Sequence, residues 1–391
     1  MTEPHVVDRY RLAIANYLSV PEDRVNVFWK GRVALFTILR AMGIKAGDEV
    51  IIPAYTCVVV PNAIIYLGAV PVYTEIDPGT YNMDIERLEA YITSKTRVII
   101  AQNTYGLSPD IDAIHAVASK HGLMVVEDSA HGLGGYYKRR KNGTLTEAAF
   151  FSTQWNKPIS TGLGGIAIAK HPELARKIAD VAARLVTPSV RDKLGLRLLL
   201  WARDALITPS TYKISVGTYR WLSRYNLVAG SSQGKEIEGT NLPSHFLKGL
   251  SDMQAGYGIR GLAKLDHHVQ HQQQVADRYS ELLTRLDIGR PIVPDYAIHT
   301  FLRYPLRVRN RSAFIKKALR HKVILGDWFN SPIHPIQQHY RRWHYRWGTN
   351  PIAEKISMQV VNLPTVMEVN DTYLSRIENF LIKERGQIIG C

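Results

Sequence analysis

Phe150-Phe151-Ser152-Thr153-Gln154-Trp155-Asn156-Lys157-Pro158-Ile159-Ser160-Thr161-Gly162-Leu163-Gly164-Gly165 sets one lysine between a short apolar run and a glycine cluster. Upstream, Val125-Val126-Glu127-Asp128-Ser129-Ala130-His131 closes a second apolar run with an acid and an imidazole. A lysine, a carboxylate and a histidine presented from strand ends are what pyridoxal phosphate chemistry needs. The amine forms a Schiff base, the carboxylate keeps the pyridine nitrogen protonated, and the ring becomes an electron sink. Singly, Asp128 reads as a turn carboxylate, His131 as a buried histidine and Lys157 as a surface lysine. Jointly, with Ser152 and the Gly162/Gly164/Gly165 turn, they read as one site.

The surrounding sequence supplies a scaffold for such a site. Val33, Leu35, Phe36, Leu39 and Met42 follow helical spacing, and Gly43 and Gly47 punctuate the end of that helix. Apolar runs then recur at 50–52, 70–73, 97–102, 123–126, 148–151 and 166–169, most of them separated by helical stretches such as 110–121. Short apolar runs alternating with helices predict an α/β fold whose mostly parallel sheet is covered on both faces. Ligands of such sheets collect beyond the carboxyl ends of the strands, where Asp128 and His131 stand. Just before the first helix, Lys30-Gly31-Arg32 offers backbone N–H groups and positive charge to an anion. The domain reading is a large cofactor domain over 1–240 and a smaller domain over 241–391, closed by a helix at 371–384.

A chain of 391 residues, 46% of them hydrophobic, can bury a core of this size. Its two cysteines, Cys57 and Cys391, imply no disulfide framework and fit a reducing compartment. The polar opening Met1-Thr2-Glu3-Pro4-His5 and the lack of any apolar run near about 20 residues read as a cytoplasmic protein. A formal charge of +15 favours anionic partners, among them nucleic acid, an acidic membrane face or phosphorylated small molecules.

Three other stretches compete for attention. His267 and His271, four apart on a helix, lack an evident third metal ligand, so a solvated helix face is the better reading. Arg341-Arg342-Trp343-His344-Tyr345-Arg346-Trp347 mixes basic and aromatic residues without a nucleic-acid module around it, which favours a subunit contact or sugar stacking over nucleic acid. Between 186 and 240, Arg191, Lys193, Arg197, Arg203, Lys213, Arg220, Arg224 and Lys235 face only Asp192 and Asp204 before Glu236, with Leu194, Leu198, Trp201 and Ala205 in a helical stripe. This segment reads as a dimer arm or lid, with contact to a membrane surface left open.

The chain resembles the DegT/DnrJ/StrS group of pyridoxal-phosphate-dependent sugar aminotransferases, nearly end to end. The resemblance rests on Gly31-Arg32-Val33-Ala34-Leu35, Gly47 to Thr56, Asp77-Pro78-Gly79-Thr80-Tyr81-Asn82, Glu127 to His131, Ser152 to Gly165, Ser251-Asp252-Met253-Gln254-Ala255 and Asn362-Leu363-Pro364. It implies fold type I, the aspartate-aminotransferase-like architecture with a smaller C-terminal α+β domain, and a homodimer with shared sites. It implies that Lys157 carries the cofactor and shuttles a proton, that Asp128 pairs with the ring nitrogen, and that His131 meets the ring hydroxyl or face. Ser152 and the N–H groups of Gly31 and Arg32 would hold the phosphate. Cys57 stands where the family commonly stacks an aromatic residue on the cofactor. Lys248 stands near where the family has an asparagine that reaches the partner's phosphate, and the expectation here is an electrostatic substitute.

The implied reaction moves an amino group from an amino acid, L-glutamate by analogy, to a keto-sugar in amino-sugar and surface polysaccharide (lipopolysaccharide) biosynthesis. A nucleotide-linked sugar and a free octulosonate-type sugar both remain open as acceptors. A non-catalytic cofactor-binding or nucleic-acid-binding regulator is the rival from another class.

Overall fold

The computed structural model describes residues 5–206, 235–243 and 245–391. Lys213, Arg220 and Arg224 of the basic segment lie outside the described residues. The chain opens with α1 (Val6–Leu18), β1 (Val25–Phe28), α2 (Gly31–Ala41), β2 (Glu49–Pro53), β3 (Thr56–Cys57), α3 (Val59–Ile65), β4 (Val70–Thr74) and β5 (Thr96–Gln102). Then follow α4 (Ile111–Lys120), β6 (Met124–Asp128), β7 (Tyr136–Tyr137), β8 (Arg140–Lys141), β9 (Ala148–Ser152), β10 (Gly165–Ala169), α5 (Pro172–Ala182) and α6 (Val190–Leu206). Beyond a short helix at Lys235–Glu238, the helices Asp252–Leu262, Leu265–Arg285, Arg311–Arg320, Pro351–Gln359 and Asp371–Lys383 alternate with β11 (Ala297–Ile298), β12 (Tyr304–Val308), β13 (Ile333–His334), β14 (Val360–Leu363) and β15 (Ile388–Gly390).

Seven strands form the central sheet in the order β1-β10-β9-β6-β5-β2-β4. The neighbours β4, β2, β5, β6 and β9 pair in parallel, while β10 runs antiparallel to both β9 and β1. The predicted, mostly parallel sheet is therefore present. Successive side chains leave opposite faces of a strand, and here both faces are buried. Val50, Ile52, Val98, Ile100 and Val126 enter one cluster with α2 and α3, whereas Ile51, Ile99 and Val125 enter another with α4. Such double burial is why these strands read as continuous apolar runs instead of alternating ones.

Sequence reading gave neither α1 nor β1. Helix α1 buries Tyr10, Ile14, Ala15 and Leu18 in a cluster with Ala255, Leu265 and Val269. The contact is close enough that a Cβ at Gly258 would lie 2.4 Å from the Tyr10 ring. Strand β1 carries a single exposed-edge pairing and only four residues, too short a run to stand out. A second core gathers Tyr279, Tyr304, Leu306, Phe314, Val361, Ile377 and Phe380 around the sheet β14-β12-β15. Phe329, Ile333, Trp343 and Ile356, though late in sequence, join the first core.

The stripe Leu194, Leu198 and Trp201 is the outward face of α6, not its packing face. These side chains are 59%, 63% and 62% exposed, while Leu196 and Leu200 are buried against Trp29 and Leu163. Apolar residues occupy both sides of this helix, so spacing alone gives no orientation.

Phe380 is buried edge-on to Phe314, with ring centroids 5.0 Å apart at 62°. Phe380→Ala should cost about 3–5 kcal/mol of stability through lost burial and the cavity left behind. Urea unfolding of the full chain measures it; a loss within experimental scatter would contradict the packing described.

Candidate active site

The parallel strands bring their carboxyl ends to one edge. Gln102 ends β5 and pairs with Asp128 at the end of β6, which pairs with Phe150 two residues before the end of β9 at Ser152. Because β10 returns antiparallel, Gly165 sits opposite Ser152, and Phe28 of β1 sits opposite Gly165. The chain then turns through Lys30 into α2. Its first residue, Gly31, comes so near that a Cβ there would lie 3.0 Å from the Ser152 Cβ. A Cβ at Gly165 would lie 2.4 Å from the Lys30 carbonyl oxygen. Two glycines thus let the start of α2 settle onto the ends of β9 and β10.

Lys157 occupies the loop joining β9 to β10. Thr153 and Thr161 close the base of that loop: the Thr153 N–H donates to Gly164 O at 3.0 Å, the Thr161 N–H donates to Thr153 O at 2.8 Å, and the two hydroxyls meet at 2.7 Å. Gly164 has no room for a side chain, since a Cβ would fall 2.0 Å from the Thr153 hydroxyl oxygen. Gln254, itself in a capping box with Ser251, donates its amide to Leu163 O. That contact gives the Ser251-to-Ala255 motif a physical role. It pins the lysine loop to a helix from the other half of the chain.

Asp128 is buried, and one carboxylate oxygen accepts the Ala130 N–H at 3.0 Å. Burial raises its pKa to about 6, against the lowering effect of that hydrogen bond and of the Lys157 charge. Half-buried Lys157 is pushed down to about 8 by loss of solvation; the charges of Cys57 and Asp128 raise it, and those of Arg303 and Arg32 lower it further. Lys157 and Asp128 therefore act on one another electrostatically within a common site, as expected. His131 is held well below its usual pKa by burial first, then by the charges of Lys157, Arg303 and His334, so its ring is neutral. Behind these groups Glu127 is fully buried and accepts from Asn103 Nδ2 at 3.0 Å and the Ser129 hydroxyl at 2.9 Å.

Arg32 enters the site by its backbone. Its guanidinium turns away into a buried ion pair with Glu236, whose carboxyl is held below its usual range despite the cost of burial. Cys57 of β3 pairs with His334 of β13 and is near enough to act on Lys157. The expected phosphate-side role of Lys248 meets a competing contact. Its ammonium binds both oxygens of Asp192, at 2.7 and 2.8 Å. His271 of the histidine cluster lies 3.1 Å from Val366 O.

Several residues at the site were not singled out from sequence. Trp328 stacks on His131 with centroids 5.4 Å apart and planes 7° apart, and the Lys157 ammonium lies 4.8 Å from the Trp328 ring centre. The guanidinium of half-buried Arg303 lies 5.3 Å from the same ring. Trp328 is fixed by Asn362, which accepts its N–H at 2.8 Å and donates to its carbonyl at 2.6 Å. The Tyr105 hydroxyl also donates to the Trp328 carbonyl while accepting the Phe329 N–H at 3.1 Å. With that proton spent, the Tyr55 hydroxyl donates in their 2.8 Å contact. The Asn362-Leu363-Pro364 motif was the available signal for Trp328, but it names the clamp and not what is clamped.

The donor set fits pyridoxal phosphate. A partly neutral amine, a buried carboxylate, a neutral imidazole and a helix N-terminus cleared of side chains by Gly31 match, in order, the aldehyde, ring nitrogen, ring hydroxyl and phosphate.

The sequence model of the DegT/DnrJ/EryC1/StrS aminotransferase family matches residues 5–192 and 228–381. The chain is 42% identical over 284 residues to a UDP-2-acetamido-2-deoxy-3-oxo-D-glucuronate aminotransferase of Pseudomonas aeruginosa, covering 72% of this chain and 66% of that one. It is 29% identical to a GDP-perosamine synthase of Caulobacter vibrioides, over 89% of this chain and 82% of the relative. The fold superposes on DesV from S. venezuelae, solved with a ketimine intermediate, at a TM-score of 0.75 and 25% identity, over 97% and 89% of the two chains. A DegT DnrJ EryC1 StrS aminotransferase from Brucella abortus aligns at a TM-score of 0.76 and 22% identity, over 98% and 91%. The chain belongs to the DegT/DnrJ/EryC1/StrS aminotransferase family and is a pyridoxal-phosphate-dependent transaminase.

Proposed function

We propose that the protein transfers an amino group from L-glutamate to a nucleotide-linked keto-sugar, in the cytoplasm, as a homodimer with shared sites, for surface polysaccharide. The observation that carries this reading is the Lys157 amine, held partly neutral beside the buried Asp128 carboxylate. The printed activities of the Pseudomonas and Caulobacter relatives, both named for nucleotide-linked sugars, support the choice of acceptor. So does a charge of +15, which favours a diphosphate.

When bound, pyridoxal phosphate supplies the electron sink that makes a C–H bond next to nitrogen breakable. Lys157 Nζ takes the proton from the donor carbon and delivers it to the cofactor carbon, then runs the same transfer backwards on the sugar. Its depressed pKa suits it to both directions near neutrality. Asp128 holds a proton on the ring nitrogen. Neutral His131 faces the ring hydroxyl, and Cys57 lines the wall beside Lys157. Ser152 and the N–H groups of Gly31 and Arg32 bind the phosphate. Trp328 covers Lys157 and keeps water from it. Arg303, over the same indole, receives the donor carboxylate, for which a planar guanidinium offers two parallel hydrogen bonds.

Lys157→Ala should lower kcat by at least about 100-fold, within the range general acid–base groups supply. Borohydride should leave a cofactor-derived mass on the Lys157 peptide of the wild type; turnover of the variant at the wild-type rate refutes the assignment. Arg303→Ala should raise the KM for glutamate by about tenfold or more, the loss of charged hydrogen bonds, with a smaller effect on kcat. An unchanged donor KM removes Arg303 from this role.

In the cofactor-free protein, amine-selective labelling of Lys157 should rise with a midpoint near pH 8, below the usual 10.5. Between those values the folded state binds fewer protons at this group than the unfolded chain, so its contribution makes stability rise with pH across that window. Labelling that tracks surface lysines would contradict the site's desolvation.

A further inference from the structure

Residues 193–227, over which the family's sequence model has no counterpart, begin inside α6 and carry six basic residues against one acidic. The described part of this addition is unusual in what it shows to solvent. Val190, Leu194, Leu198 and Trp201 are 72%, 59%, 63% and 62% exposed, and Val186, just before the helix, is 63% exposed. At about 100° per residue the four helical side chains fall within an arc of roughly 80°. They form one continuous stripe, while Leu196 and Leu200 seat the helix on Trp29, Leu163 and Trp155.

Charge borders the stripe on both sides. By the same rotation, exposed Arg191 lies along one margin, with exposed Arg197 and half-buried Lys193 along the other. Asp192, the one acid between 186 and 202, is turned inward, where its carboxylate accepts from Lys248 and from Ser189. What faces outward is thus apolar at the centre and positive at the edges, with an indole at one end. Two copies meeting through this face would set Arg191 and Arg197 near their own counterparts without a compensating acid. An acidic lipid surface instead satisfies both features, since apolar side chains enter the headgroup boundary and arginines meet lipid phosphates. Tryptophan favours that same boundary. No helix among the described residues is long and apolar enough to cross a membrane, so the helix would lie flat.

We propose that α6 is a docking helix for an anionic membrane surface, with Val190, Leu194, Leu198 and Trp201 inserted and Arg191 and Arg197 on the headgroups. The lysine loop lies directly behind it, through Leu163 and Trp155, so docking holds the active site close to the lipid face.

Co-sedimentation of the full-length holoenzyme with phosphatidylcholine vesicles, with and without phosphatidylglycerol, tests the proposal. Wild type should bind the phosphatidylglycerol vesicles at least about tenfold more tightly, and high salt should weaken that binding. Leu194→Glu with Leu198→Glu should reduce binding at least about tenfold, as inserted apolar area is lost. Arg191→Glu with Arg197→Glu tests the electrostatic half from surface positions, and should remove the preference for phosphatidylglycerol. Both variants should keep the cofactor's absorbance and the wild-type melting temperature, which separates lost docking from lost folding. Wild type that ignores phosphatidylglycerol vesicles overturns the proposal, as do folded variants that bind like wild type. It is also overturned if Leu194→Glu with Leu198→Glu changes the oligomeric mass and leaves vesicle binding intact, since the face would then join copies of the chain.

Discussion

A primary amine taken out of water gives up its proton more readily, and a carboxylate taken out of water keeps its own. Lys157 and Asp128 are both in that position, and each opposes the shift that burial imposes on the other. The rest of the site follows from holding these two groups in reach without letting water in. Five parallel strands put Asp128 and Ser152 at one edge; the reversed β10 brings the lysine loop back over it. Trp328 shields the amine, and Asn362 with Tyr105 fixes Trp328.

Glycine decides how closely the pieces approach. At Gly31, Gly164 and Gly165 the room for a Cβ is taken by backbone atoms or by short hydroxyl side chains that are themselves hydrogen-bonded. The positive end of α2 can therefore rest against Ser152, where an anion gains from both. The arrangement needs the helix, two strand ends and the loop to be correct together, so the site belongs to the fold and not to any one segment.

Much of this was legible in the sequence, and the reasons for what was not are specific. Lys157, Asp128, His131, Ser152 and Gly31 lie on local motifs next to strands whose double burial writes itself as apolar runs. Trp328 and Arg303 carry no such mark. They reach the site through β13 pairing with β3 and through long-range hydrogen bonds to Asn362 and Tyr105, which a linear reading does not contain. Arg32 illustrates a different limit: its position at the helix start was evident, but the direction of its side chain depends on Glu236, more than two hundred residues away. In α6 the pattern of leucines predicted a helix and concealed which side was packed, because both sides are apolar.

The Arg32–Glu236 pair also constrains how this protein can change over time. Both side chains are nearly withdrawn from solvent. Replacing either alone strands the other charge in a poorly polarisable setting, a penalty of about 3–5 kcal/mol, whereas exchanging both for apolar residues of like volume is close to neutral. The two positions are thus joined by a valley in fitness that single substitutions must cross. Since Glu236 directly follows the added segment and Arg32 opens the helix beneath the cofactor phosphate, descendants of this chain that shorten or lengthen the addition must keep its far end in register with the oldest part of the site.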